Sequence, residues 1–212
     1  MRPITVTVGP LASAVANNIC LSQTPTAGAL LLNGSTAGTL DYARRVLITA
    51  AGNESSRTFT ITGTNWSGST ISETVTGPNA TTAVSVLDYL TVTSITISGN
   101  AAGAITVGTN GVAASPWVRL DAWAMPQVAI QCTASGTVNY TVQQTLDDTN
   151  APTSPVAASA VTWVSHPDSN LVGATGTVQG NYAYVPTFTR VLLNSGSGTV
   201  TATFTQSGSA VR

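Results

Sequence analysis

The chain contains no lysine. Its seven basic residues are all arginine, they face eight acidic ones, and charged residues make up only 7% of the sequence. An ordinary soluble domain carries roughly 25%. Nucleic-acid binding needs clustered cations that displace counterions from phosphates. The one adjacent basic pair, Arg44–Arg45, lies on the alternating stretch "YARRVLITA", which sends the two side chains to opposite faces. Both are read as edge or interface charges, and no nucleic-acid partner is expected. Disorder is excluded from the other side, because it needs high charge and few apolar residues. Here 42% of residues are hydrophobic and 6% aromatic, so a core is expected, built from Val, Ile, Leu and Ala.

No stretch approaches the ~18 consecutive apolar residues of a membrane-spanning helix, and no membrane partner is expected. The N-terminal "MRPITVTVGPLASAVANN" has an arginine and small residues, but it lacks the continuous apolar run of a secretory signal. The two cysteines, Cys20 and Cys132, fit no CxxC or Cys/His metal spacing and are expected as free thiols.

Histidine is as scarce as it can be without vanishing. His166 stands in "VTWVSHPDSN", three residues after Trp163 and two before Asp168. Acid–base catalysis needs at least two positioned titratable groups. No GxSxG elbow marks a serine nucleophile, and Asp147 and Asp148, adjacent on an extended chain, diverge rather than pair. The loops "DDTN" (147–150) and "HPDSN" (166–170) could supply oxygen ligands to Ca²⁺, but both also read as Asx turns. No catalytic residue, metal or cofactor is assigned, and the chain is read as no enzyme. Val161 to Val164 is expected to be a buried strand end, and His166 to Asn170 a polar loop facing a neighbouring subunit.

What the sequence has in quantity is threonine and serine, roughly a quarter of the chain, with 19 glycines. Threonine is β-branched and suits a pleated strand. Period-2 alternation runs nearly throughout, and four stretches read as hairpins. These are "RTFTITGTNWSGSTISETVTG", "YLTVTSITISGNAAGAITVGT", "QVAIQCTASGTVNYTVQQTL" and "FTRVLLNSGSGTVTATFTQSG". Strands at this spacing with Gly-rich turns predict an all-β protein. The expected architecture is two small β-sandwich domains in tandem, Ig-like or jelly-roll-like, with an extended N-terminal arm. The arm spans 1–23, the first domain 24–115 and the second 116–212, with "AASPWVRLD" at the junction. The second and fourth hairpins resemble each other and suggest an internal duplication. An arm of this length cannot form a core alone, and adding a strand to a sheet edge is the way a neighbour would hold it.

A monomer keeps apart from its copies with surface charge. So little charge predicts surfaces that rest against other protein, in a homo-oligomer or a larger assembly. The candidate partner contacts are Arg2, Ile4, Val6 and Val8 on the arm, Trp66 at the "NWSG" turn, and His166. Trp66 is either an exposed platform for a partner or sugar, or a ring lying over its own hairpin. Trp117 and Trp123 are expected to pack the two domains together, and Trp163 to be core.

The stretch 138–208 runs "YTVQQTLDD", then "TWVSH", then "GNYAY", then "RVLLNSGSGTVTATFTQ". This succession resembles small virion proteins of tailed bacteriophages. The first half, from "ARRVLITAAG" to "TVTSITISG", is similar to a module found with it, and together the two cover about nine-tenths of the chain. The resemblance implies a non-enzymatic structural component of the particle, present in many copies and localised to the virion after assembly in the bacterial cytoplasm. It implies the major capsid protein, or neck and tail proteins, as partners. A capsid decoration or cement protein is the leading expectation. A neck, collar or tail component is the first alternative, and a carbohydrate-binding module for host attachment the second.

Overall fold

The computed structural model describes residues 3–34, 39–121 and 127–206, and its regular structure is almost wholly β. The strands are β1 Ile4–Val8, β2 Val15–Gln23, β3 Gly28–Ala29, β4 Ala43–Ala50, β5 Thr58–Thr64, β6 Thr70–Thr76, β7 Thr82–Val84 and β8 Thr91–Ile97. They continue as β9 Ile105–Ala114, β10 Val118–Arg119, β11 Val128–Ser135, β12 Val138–Thr145, β13 Val164–Ser165, β14 Val178–Tyr182, β15 Phe188–Gly196 and β16 Thr199–Gln206. The described residues contain no helix long and apolar enough to cross a membrane. The fold is all-β and sandwich-like, as the alternation predicts.

The chain divides into two compact units: Ala12–Gly111, here unit I, and Met1–Leu11 together with Val112–Arg212, here unit II. The expected boundaries at 23/24 and 115/116 differ from these, because residues 1–23 are not one arm. They are two strands with separate loyalties. β1 pairs antiparallel with β16 in unit II, from Ile4↔Phe204 to Val8↔Val200. β2 pairs with β9 in unit I, at Val15↔Thr109, Cys20↔Val107 and Gln23↔Ile105. The arm is therefore held by its own chain.

Unit I has one sheet in the order β2-β9-β4-β7 and another in the order β3-β8-β5-β6. Its core sets Val46, Ile48, Ile105 and Val107 of the first sheet with Phe59, Ile61, Ile95 and Ile97 of the second. In unit II the orders are β1-β16-β11-β14 and β10-β15-β12-β13, and the last residues of β9 pair with β15 at Ala114↔Leu192 and Ala113↔Leu193. Ile130, Cys132, Ala202 and Phe204 pack there with Tyr140, Val142, Val191 and Leu193.

The two sets of orders are the same. Counting each unit's eight strands along the chain, β2 to β9 in unit I correspond one for one to β1 and β10 to β16 in unit II. Details agree with the count. Where β4 leaves its sheet the sequence reads "TAAG", and where β11 leaves its sheet it reads "TASG". These turns meet the entries to β9 ("GAI") and β16 ("GTV") glycine against glycine. A Cβ on Gly103 would lie 2.6 Å from the Gly52 nitrogen, and one on Gly198 would lie 2.9 Å from the Gly136 carbonyl carbon. No side chain fits at such an approach. Each unit also buries a tyrosine opposite the start of its third strand: Tyr89 bridges to Arg44, the second residue of β4, and Tyr182 pairs with Val128, the first of β11. The Tyr89 hydroxyl donates to the Ile61 carbonyl on β5 at 3.2 Å. The Tyr182 hydroxyl reaches β12 through Thr189, whose Oγ1 donates to the Gln143 carbonyl at 3.0 Å. Unit I differs in having longer turns here, 51–57 and 98–104. The buried Glu54 carboxylate ties them together by accepting from the backbone N–H groups of Ala102 (2.7 Å) and Gly103 (3.0 Å).

Of the four expected hairpins, β5–β6 is one, in register from Thr58↔Thr76 to Thr64↔Thr70. The other three are corrected. β8 and β9, β11 and β12, and β15 and β16 lie in different sheets, each pair joined by a turn that arches across the sandwich. Alternation shows which side chains point inward, but an arch and a hairpin bury the same alternate positions.

Candidate assembly surface

The outer face of β1-β16-β11-β14 is made of neutral polar side chains in rows. One row crosses the strands as Thr7, Thr201 and Thr133, and the next as Thr5, Thr203, Gln131 and Gln179. Thr7 and Thr201 hydroxyls lie 3.1 Å apart, those of Thr5 and Thr203 3.3 Å apart, and Gln179 Nε2 donates to Gln131 Oε1 at 2.9 Å. Such cross-strand pairs hold side chains in place at about 0.2–1 kcal/mol each. In unit I the outer face of β8-β5-β6 repeats the chemistry, with hydroxyl pairs Thr60–Thr74, Thr62–Ser72 and Thr64–Thr91. Alternation produces both faces: apolar residues turn into the sandwich and the threonines between them turn out.

The charges are elsewhere. All five arginines among the described residues are engaged. Arg44 pairs with Asp41 at 3.2 Å, Arg45 with Asp88 at 3.5 Å, Arg57 with Glu54 at 3.4 Å and Arg119 with Asp148 at 2.9 Å. The Arg190 guanidinium lies 4.2 Å over the Trp163 ring. Arg44 corrects its expected place at an edge or interface: it is buried, and its guanidinium donates to the carbonyls of Ala12 and Asn110. Its two terminal nitrogens are spent on fixed carbonyls and the Asp41 carboxylate, which offsets the cost of burying the guanidinium, although Nε has no partner.

Of the expected contact residues, Arg2 lies outside the described residues. Ile4 and Val6 are half-buried and Val8 fully buried. They point into unit II, and it is Thr5 and Thr7 that β1 presents outward. Trp66 is half-buried with its indole nitrogen enclosed, so it offers no open platform. Trp117 and Trp163 meet edge to face with centroids 5.1 Å apart, and Trp117 also meets Phe188. Both are half-buried within unit II, and Trp163 is not the core residue expected. Trp123 lies outside the described residues.

His166 also departs from expectation. It is 3% exposed, not turned toward a neighbour, and Val164 beside it is exposed. The ring packs on Tyr182, centroids 4.6 Å apart, and Nδ1 accepts from the Asp168 backbone N–H at 3.0 Å. An accepting Nδ1 is unprotonated, so the neutral ring carries its hydrogen on Nε2. Burial pulls the imidazole below its ordinary value, and the Asp168 carboxylate opposes this only in part. Asp168 itself caps the short 3-10 turn Ser169–Leu171 by accepting from Asn170 N–H. Asp147 accepts from Thr162 N–H, and Asp148 holds Arg119 and Asn150 N–H. Each of these carboxylates holds a turn. Among the described residues no three His, Cys, Asp or Glu side chains gather to hold a metal ion. Cys20 and Cys132 are free and buried, and burial raises their thiols to about 12 and about 11.

No known family model, no curated protein and no solved structure matches this chain.

Proposed function

We propose that the chain is a structural subunit of a tailed-bacteriophage particle, and that it acts as a decoration protein, laying its neutral sheet faces against neighbouring capsid subunits. The observation that supports this reading is the outer face of β1-β16-β11-β14, whose rows Thr7–Thr201–Thr133 and Thr5–Thr203–Gln131–Gln179 contain no charge. Ordered hydroxyls and amides can exchange water for a partner's backbone and side chains without stripping an ion of its hydration. The methyl groups between them contribute about 25 cal/mol per Å² of apolar area covered. The resemblance of 138–208 to small phage virion proteins points to the same class. The finer choice between head and neck or tail is one of copy number, hundreds per particle against about a dozen.

The test is incorporation. Thr203→Glu and Thr133→Glu place carboxylates on the exposed face without touching the core. Each variant should fold, give an unchanged far-ultraviolet spectrum and be absent from purified particles in a complementation assay. Particles that carry the double variant at parental copy number would overturn the proposal.

A further inference from the structure

The correspondence between the two units isolates one place where they part. In unit I, β5 and β6 are joined by five residues, 65–69, whereas the corresponding β12 and β13 of unit II are joined by eighteen, 146–163. Long connections on a shared frame are where function concentrates. Its two ends, tied together where Asp147 accepts from Thr162 N–H, border an open pocket of about 250 Å³ at the end of β12, lined by Gln144, Leu146, Asp147, Thr162, Val164 and Tyr184. Leu146, Val164 and the Tyr184 ring, which is 45% exposed, are held open to solvent around it.

Polar groups stand among these apolar walls. Gln144 is only 4% exposed, its amide nitrogen donates to the Tyr184 hydroxyl, and its amide oxygen is buried without a partner. In either orientation of the amide one polar atom goes unpaired. With the nitrogen donating to the phenol oxygen, the phenol keeps its own hydrogen to give away. Asp147 spends one carboxylate oxygen on Thr162 N–H at 2.6 Å and leaves the other without a hydrogen bond. The pocket thus offers one aromatic face, two aliphatic walls, a hydroxyl donor, a carboxylate acceptor and no cation.

From this geometry we propose that the pocket binds a single neutral saccharide ring, stacked by its C–H face on Tyr184, with hydroxyls donating to Asp147 and accepting from the Tyr184 phenol. The volume lies below the roughly 300–1,000 Å³ of pockets for larger ligands, which limits the occupant to about one ring. The carboxylate with no cation beside it disfavours uronic and sialic acids. A purely aliphatic anchor from a partner protein would leave the free Asp147 oxygen without a donor, a mismatch that recognition sites reject. The site stands independently of the assembly reading, since binding is measured on the free protein.

The experiment is a nitrogen-15 correlation titration of the full chain with methyl glycosides of glucose, galactose, mannose, N-acetylglucosamine and rhamnose, with glucuronic and sialic acids as charged comparisons. At least one neutral glycoside should saturate with a dissociation constant on the order of 1 mM, as a one-ring ligand would. Shifts should centre on residues 144–147, 162–164 and 184. Tyr184→Ala should weaken binding about tenfold or more and Tyr184→Phe about threefold, while Trp66→Ala leaves it unchanged. Both tyrosine variants change an exposed side chain and should fold as the parent does. Absence of saturable binding across the panel, equal binding of the acidic sugars, or parental affinity in Tyr184→Ala would each overturn the assignment.

Discussion

Strand β1 gives the sharpest test of the fold, because its partner is in its own chain but more than a hundred residues away. Val8 is fully buried in unit II and pairs with Val200, Ile4 and Val6 are half-buried, and Thr5 and Thr7 face out. Val8→Ala removes two methyl groups from a site with no exposure. At about 0.8 kcal/mol per methyl(ene), with a small cavity term added, the loss is about 2 kcal/mol. Val6→Ala should cost about half as much, and Thr5→Ala or Thr7→Ala less than about 0.5 kcal/mol. For a domain of this size, 2 kcal/mol corresponds to roughly 10 °C in the midpoint of the unit II transition. Urea and thermal unfolding, followed at several protein concentrations, read these values directly. The graded order Val8, Val6, then the threonines should appear unchanged at every concentration. If Val8→Ala unfolds like the parent, or if its effect emerges only at high concentration, β1 is seated on a neighbour and the intrachain pairing with β16 is wrong.

Two further outcomes follow from buried titratable groups. His166 has a depressed folded-state value, so the unfolded chain takes up the proton first as the pH falls. Stability should be at full strength above about pH 6.5 and decline from there toward the lower folded value, by at most about 1.4 kcal/mol per pH unit, and His166→Gln should flatten the decline in urea titrations between pH 7 and 5. Cys20 and Cys132, with thiols raised to about 12 and about 11, should resist iodoacetamide in the native protein at pH 8 and be alkylated together in urea, as mass spectrometry would show; rapid native labelling of either would contradict its burial.

The inward and outward sides of most strands were legible in the sequence, because alternation is a property of single strands. Phe59 and Ile61 or Tyr140 and Val142 could be placed in a core from their spacing alone. Pairing was less legible. "AITVGT" after "GNAAG" and "SETVTG" after "NWSG" look alike as returning strands. The first crosses to the other sheet and the second pairs with its predecessor, because glycines at 52 and 103 let two arches pass at contact distance. Single residues were the least legible. His166, Arg44 and Val8 are drawn inside by groups distant in sequence: the Tyr182 ring, the Ala12 and Asn110 carbonyls, and Val200 on β16. Nor could Gln144 and Tyr184 be singled out. They stand forty residues apart, and only the fold brings them to one open pocket.

The repeated strand order explains why the N-terminal segment resembles an arm. A unit of this kind needs eight strands, and the first of them pairs with the last, β2 with β9 and β1 with β16. In unit I the first strand lies directly ahead of the other seven. In unit II it is separated from them by the whole of unit I, so residues 1–23 place two first strands side by side in sequence. A strand that alternates well but lacks a local partner looks, by sequence alone, like a segment seeking a neighbour. The pairing of β1 with β16 gives it a home within the chain. What remains for a partner is the surface the pairing creates, since Thr5 and Thr7 reach the outer rows only when Ile4, Val6 and Val8 turn inward. The residues that secure the strand and those available for contact are therefore alternate members of one five-residue stretch. Substitutions at the two sets should separate folding from assembly.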